Sequence, residues 1–161
     1  MQQIVKCLVI TVVMLSSIVM MAQLALEVEG GAQKTISQSD LQKMPHRKLT
    51  VTNPHTKQQE NYEGVLLRDL LDQIGVPSGE KLRGPEGRDY IVVSAKDGYE
   101  VVLALVEIDP MFQQNQVLVA DTLDGKPLDD KHGPLQLVVP EDQRPARWVR
   151  MISKITIRRT P

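Results

Sequence analysis

Chemistry on a polypeptide needs a nucleophile with its base, an acid–base pair or a ligand set, and the 161 residues of this chain offer few spacings that supply one. No Gly-x-Ser-x-Gly elbow, His-Glu-x-x-His pair or Lys-bearing phosphate loop occurs. The three His stand far apart, and His46 and His55 each follow a proline in a polar stretch, so a two-His metal site has no support from spacing. The acidic pairs Asp129-Asp130 and Glu141-Asp142 adjoin Lys131 and Pro140, where solvated turns account for them. With no nucleophile beside an assignable base, the chain reads as a binding protein and not as an enzyme.

The single cysteine, Cys7, is no better placed for chemistry, because it opens an apolar run at the N-terminus. Lys6 followed by residues 7–22, interrupted only by Thr11, Ser16 and Ser17, has the pattern of a secretory signal peptide. The run is shorter than the roughly twenty apolar residues of a membrane span. Cleavage is expected after Ala22, with Ala25 as the other small residue, and Cys7 lies at the wrong end of the run for a lipid anchor. Losing Lys6 leaves 18 basic residues against 20 acidic ones and no cysteine. The exported chain therefore has no disulfide, no Cys-ligated metal and no thiol nucleophile. Its near-neutral charge gives no reason to expect a nucleic-acid partner.

The elements that must position any site follow from pattern. The length suits one domain, residues 23–161. Residues 23–35 lead into a first strand in which Leu24, Leu26 and Val28 alternate with polar neighbours until Gly30-Gly31 breaks the pattern. Ser37 with Asp40 three residues on predicts a capped short helix that Pro45 stops. Residues 49–52 form a short strand, Asn53-Pro54-His55 a turn and residues 57–61 a loop. Val65, Leu66, Leu67, Leu70, Leu71 and Ile74 have the spacing of one buried helix face ending at Gly75. Strands follow at 89–94 and 99–105 around the turn Asp97-Gly98, then at 117–120 before Asp124-Gly125, at 135–139 and at 148–157, with 140–147 irregular. Several strands, short helices and many Gly and Pro turns predict a mixed α+β domain with a barrel-like mixed sheet.

The order of five segments makes this reading more specific. Tyr62-Glu-Gly-Val-Leu-Leu-Arg-Asp-Leu-Leu71, Asp97-Gly-Tyr99, Leu118-Val-Ala-Asp-Thr-Leu-Asp-Gly-Lys-Pro-Leu128, His132-Gly-Pro-Leu-Gln-Leu-Val-Val-Pro140 and Arg147-Trp148 with Ile152, Ile155 and Ile157 follow one another. In this order they resemble the sulfite oxidase-type molybdopterin-binding domain family over roughly residues 35–158. The departures are equally specific. Where the enzymes carry a cysteine that gives molybdenum its protein thiolate, this chain has Thr50-Val-Thr-Asn53. The family's phosphate-neutralising Arg is replaced by Gln136, which reads as an outward-facing position on an apolar strand. A molybdenum centre is thus not expected.

The resemblance extends to the small, exported, cysteine-less branch of the family. It implies a periplasmic protein that binds a reduced, unconjugated pterin and reports its occupancy to the periplasmic region of an inner-membrane enzyme that makes or degrades cyclic di-GMP, so influencing biofilm formation. Family positions then assign the ligand contacts: Asp97 as acceptor for the pterin's paired N–H donors, Tyr99 and Trp148 as wall, His132 and Arg147 near the ring and its substituent, and Thr52 and Asn53 in the vacated thiolate corner. Five of these residues also have a plainer reading. Asp97-Gly98 is a hairpin turn, Tyr99 an amphipathic strand residue, Trp148 a core side chain, His132 a turn residue and Arg147 a solvated charge. At the level of function, a molybdopterin oxidoreductase and a ligand-free interaction module stand as the alternatives.

Overall fold

The computed structural model describes residues 23–53 and 56–160; the expected leader, with Cys7, lies outside them. Strand β1 (Gln23–Val28) buries Leu24, Leu26 and Val28 on one side, as alternation requires. Gly30, at φ +67°, turns the chain into β2 (Gln33–Ser37), a strand the sequence pattern did not mark. The short helix α1 (Gln38–Lys43) is capped as expected. The Ser37 Oγ accepts the Asp40 N–H at 3.1 Å and the Asp40 carboxylate accepts the Ser37 N–H at 3.3 Å. Pro45 then separates the helix from β3 (His46–Thr52), which starts earlier than predicted.

The largest departure from expectation lies between residues 57 and 74. Residues placed in a loop and in the first turns of a helix form β4 (Gln59–Leu66), and only α2 (Leu67–Asp72) is helical. The reason is tertiary: β4 is sandwiched between β3 and β7 (Leu118–Leu123), where Tyr62, Gly64 and Val65 are all buried. The apolar end of β4, Val65-Leu66, runs straight into Leu67, Leu70 and Leu71 of α2, and spacing alone does not separate the end of such a strand from the first turn of a helix. Gly64 is needed there because a Cβ on it would stand 2.2 Å from the Val119 carbonyl oxygen.

Strands β5 (Tyr90–Ala95) and β6 (Glu100–Ala104) pair around Asp97-Gly98, where Gly98 has φ +88° and the Asp97 Oδ1 accepts the Tyr99 N–H at 3.0 Å. Asp124-Gly125 turns β7 into the two-residue β8 (Lys126–Pro127), and β9 (Gln136–Val138) pairs with β7. The last strand, β10 (Ile152–Arg158), starts four residues later than the pattern at Trp148 implied. Residues 148–151 are a crossing segment instead. Leu137 donates to the Val149 carbonyl at 2.7 Å, Met151 to His132 at 3.0 Å and Lys96 to Met151 at 3.0 Å, and Met151 turns at φ +51°. Backbone groups committed to three neighbours are not free for a sheet ladder.

Among the described residues the strands form two sheets, β2-β1-β10-β5-β6 and β3-β4-β7-β8 with β9 on β7. All pairs are antiparallel except β1 with β10. One apolar cluster contains residues of both sheets, including Leu26, Val65, Ile91, Leu103, Val119 and Ile155. The fold is mostly β, with two sheets and short helices. No helix among the described residues is long and apolar enough to cross a membrane.

Candidate ligand-binding cleft

Where the crossing segment leaves the second sheet for the first, the chain leaves a cleft of about 690 Å3. Five parts of the chain line it: Ala95, Asp97 and Tyr99 around the β5–β6 turn; Asn53 just after β3 with Glu60 and Tyr62 of β4; Leu123 at the end of β7; Lys131, His132 and Gln136; and Arg144, Pro145, Ala146, Trp148, Arg150 and Met151. The chain is poor in aromatics, yet its one Trp and two of its three Tyr line this cleft. Their convergence gives the site flat apolar walls.

Each wall residue is held. Trp148 is 8% exposed and its Nε1–H donates to the Val139 carbonyl at 2.9 Å. The Tyr62 hydroxyl donates to Glu60 Oε2 at 3.0 Å, and burial, together with the Glu60 carboxylate, pushes its pKa well above the usual phenol value. Tyr99 is 51% exposed, but its hydroxyl reaches across to donate to the Ala146 carbonyl at 2.8 Å. Asn53 donates from Nδ2 to Glu60 Oε1 at 2.7 Å and accepts the Thr56 N–H at 3.2 Å. The His132 ring pairs through Nδ1 with Asp129, which draws the Asp129 carboxyl below its ordinary range.

Of the residues singled out in the sequence, Asn53, Asp97, Tyr99, His132 and Trp148 line one cleft, and Thr52 and Arg147 do not. Thr52 is exposed at the end of β3. Arg147 is engaged elsewhere: Nε and Nη2 donate to the two Asp142 oxygens at 3.0 and 2.6 Å, and Nη1 donates to Glu107 Oε2 at 3.0 Å. The Asp142 bonds, opposed by burial and aided by Glu107, hold its pKa above the ordinary arginine value. The cations lining the cleft are instead Lys131, Arg144 and Arg150.

Gln136 is the residue that sequence reasoning placed wrongly. It is 3% exposed, not outward-facing, and lines the cleft with an Oε1 that has no hydrogen-bond partner. A buried acceptor left unpaired costs free energy, so such an atom calls for a donor. The signal was present in the sequence as the one polar side chain in Leu-Gln-Leu-Val-Val, residues 135–139. Pairing of Gln136 with Ala120 across β9 and β7 fixes its direction.

The donor set also tests the molybdenum centre that the sequence resemblance raises. The side-chain groups around the cleft are oxygens, nitrogens and the Met151 thioether, and residues 23–160 contain no cysteine. These residues do not fit a molybdenum site that requires a protein thiolate. They do fit a flat heterocycle with hydrogen-bonding edges.

The fold is similar to that in the structure of the sulfane dehydrogenase SoxCD from Paracoccus pantotrophus, with a TM-score of 0.64 at 19% identity. The match covers 85% of this chain and 38% of that one, so this chain spans well under half of the SoxCD chain it matches. A sequence comparison with curated proteins gave no match. The defining pattern of the oxidoreductase molybdopterin binding domain matches residues 15–161, a stretch that begins after Cys7. With nearly its whole length matched, the chain belongs to the oxidoreductase molybdopterin-binding domain family.

Proposed function

We propose that the protein is a pterin-binding protein of the periplasm, without enzymatic activity, that signals ligand occupancy to a membrane-bound enzyme of cyclic di-GMP synthesis or degradation. The observation that carries the ligand class is the orphaned Gln136 Oε1 inside a cleft walled by Tyr62, Tyr99 and Trp148. A reduced pterin presents a flat π-face and an edge on which the 2-amino group and N3–H stand side by side as donors. Gln136 and Asp97 are acceptors for that edge, and the aromatic side chains form the wall.

Signalling follows from what the ligand touches. Tyr99 joins the β5–β6 turn to Ala146 through a hydrogen bond to the irregular segment 140–147, and Asn53, just after β3, accepts the Thr56 N–H. A ligand that engages these groups changes the surface that both segments present. A partner that reads that surface tightens ligand binding by the same factor, because coupling is reciprocal. The export expected from residues 1–22 and the cyclic di-GMP partner are supported by the sequence resemblance.

The test is to express the full chain with its leader, recover the protein from the periplasm, denature it, and analyse released small molecules by fluorescence chromatography together with elemental analysis. A stoichiometric pterin without metal is the expected result. Molybdenum with molybdopterin would replace this reading with an oxidoreductase. Absence of both, with no pterin binding on titration, would favour a ligand-free interaction module.

A further inference from the structure

We infer that Arg147 is a positioning residue that sets the width of the cleft from outside it, by clamping the segment 140–148 to the turn that follows β6. The inference rests on the pterin reading for what the cleft holds, but the clamp itself stands on geometry. Arg144, Pro145, Ala146 and Trp148 all line the cleft, whereas Arg147, in the middle of this run, does not. Its side chain is 33% exposed and makes three charge-assisted hydrogen bonds of 2.6 to 3.0 Å to two carboxylates on different segments.

Both carboxylates are themselves anchored. Glu107 sits in the 3-10 turn Leu105–Ile108 directly after β6, and its Oε1 accepts the Ala104 N–H at 3.2 Å. Asp142 follows β9, and its N–H donates to the Val139 carbonyl at 3.1 Å. Residues 140–147 belong to neither sheet, so no strand ladder fixes this wall. Besides local backbone bonds, two side-chain ties join it to the β5–β6 hairpin and the turn after it, with Tyr99 bonded to the Ala146 carbonyl on the cleft side and Arg147, itself braced by Asp142, bonded to Glu107 on the other.

The chemistry requires arginine. A planar guanidinium serves Asp142 through Nε and Nη2 while Nη1 reaches Glu107; a lysine ammonium is a single point charge and does not reproduce that fork. Without the cation, Asp142 and Glu107 lose the group that joins them, and the wall loses its tie to the turn after β6. Trp148 is the next residue, with its indole held by the Val139 carbonyl, so it is a fixed reporter beside the wall that Arg147 clamps.

The experiment compares the wild type with R147Q, R147K, E107Q and the R147Q/E107Q double variant, with 7,8-dihydrobiopterin as probe and quenching of the single Trp as readout. Hydrogen exchange of the amides of residues 142–148 is measured in parallel without ligand. Glu107 does not line the cleft, so a clamp predicts that E107Q weakens binding about as much as R147Q, roughly tenfold each. The double variant should be little worse than either single one, because both remove the same interaction. R147K should restore only part of the affinity, and exchange over 142–148 should rise in every variant. Loss of affinity in R147Q with none in E107Q would make Arg147 a ligand contact and overturn the clamp. Failure of the wild type to bind the probe would instead defeat the pterin reading, and exchange would still decide the clamp: unchanged protection over 142–148 in E107Q would overturn it.

Discussion

The rings of Tyr62 and Trp148 meet edge to face, with centroids 5.9 Å apart and planes at 88°. One ring comes from the middle of β4 and the other from the crossing segment before β10, so the contact joins parts of the chain that share no strand pairing. It also fixes the floor of the cleft, because Tyr62 is tied to Glu60 and Trp148 to Val139. A ligand stacking here meets rings that are already ordered, which lowers the entropy cost of binding.

Trp148→Phe keeps a ring but removes the Nε1–H donor and leaves the Val139 carbonyl without that partner. The expected loss is about 1–2 kcal/mol of stability, read as a lower urea midpoint by circular dichroism. An unchanged midpoint would mean that the hydrogen bond contributes nothing net.

Gln136→Leu should separate function from stability. It removes a buried acceptor that has no partner, so the fold should be as stable as the wild type or more stable by about 1 kcal/mol. Pterin affinity should fall at least about tenfold, the usual cost of losing a buried hydrogen bond to a ligand. A variant that loses stability and keeps its affinity would place Gln136 in the framework and not in the site.

Gly64→Ala should be among the most damaging substitutions in the chain. The added Cβ would sit 2.2 Å from the Val119 oxygen and 2.6 Å from the Ala120 Cα, both backbone atoms of the neighbouring strand. A cost of more than about 3 kcal/mol is expected. Gly30→Ala is the control: it meets nothing within 4 Å and carries only the strain of φ +67°, about 1 kcal/mol. Thermal unfolding of both variants checks the contrast.

His46 couples stability to pH. Its Nε2 lies 3.0 Å from Asp121 Oδ2 and its Nδ1 2.9 Å from the Met44 carbonyl. Burial opposes the charged ring, but Asp121 and Met44 outweigh it and raise the folded pKa above 6.5. The unfolded chain titrates near 6.5, so the stabilisation is complete below that value and is lost as pH rises through the folded pKa. His46→Gln should therefore cost up to about 1 kcal/mol in mildly acidic solution and little in alkaline solution. Unfolding curves of both proteins across that range check the sign, and a gap that widens with pH would refute the pairing.

The sequence by itself determined the parts of this protein that depend on neighbouring residues. Ser37 and Asp40 cap α1 because both bonds form within one turn, and Asp97-Gly98 and Asp124-Gly125 turn the chain because glycine there accepts a left-handed φ. The alternation of Leu24, Leu26 and Val28 gave β1, and the order of motifs identified the family. Tertiary structure decided what depends on distant partners. Residues 59–66 became a strand because β3 and β7 cover both their edges, and residues 148–151 left the ladder because their backbone groups serve segments near His132, Leu137 and Lys96. The same holds for the site. Asp97, His132 and Trp148 were legible from the family positions they match, but Arg147 turned outward because Glu107, from the turn after β6, and Asp142, within its own segment, both bind it. Gln136 turned inward because its register on β7 allows no other direction. A side chain's type is written in the sequence, but the direction it points is set by the strand it pairs with.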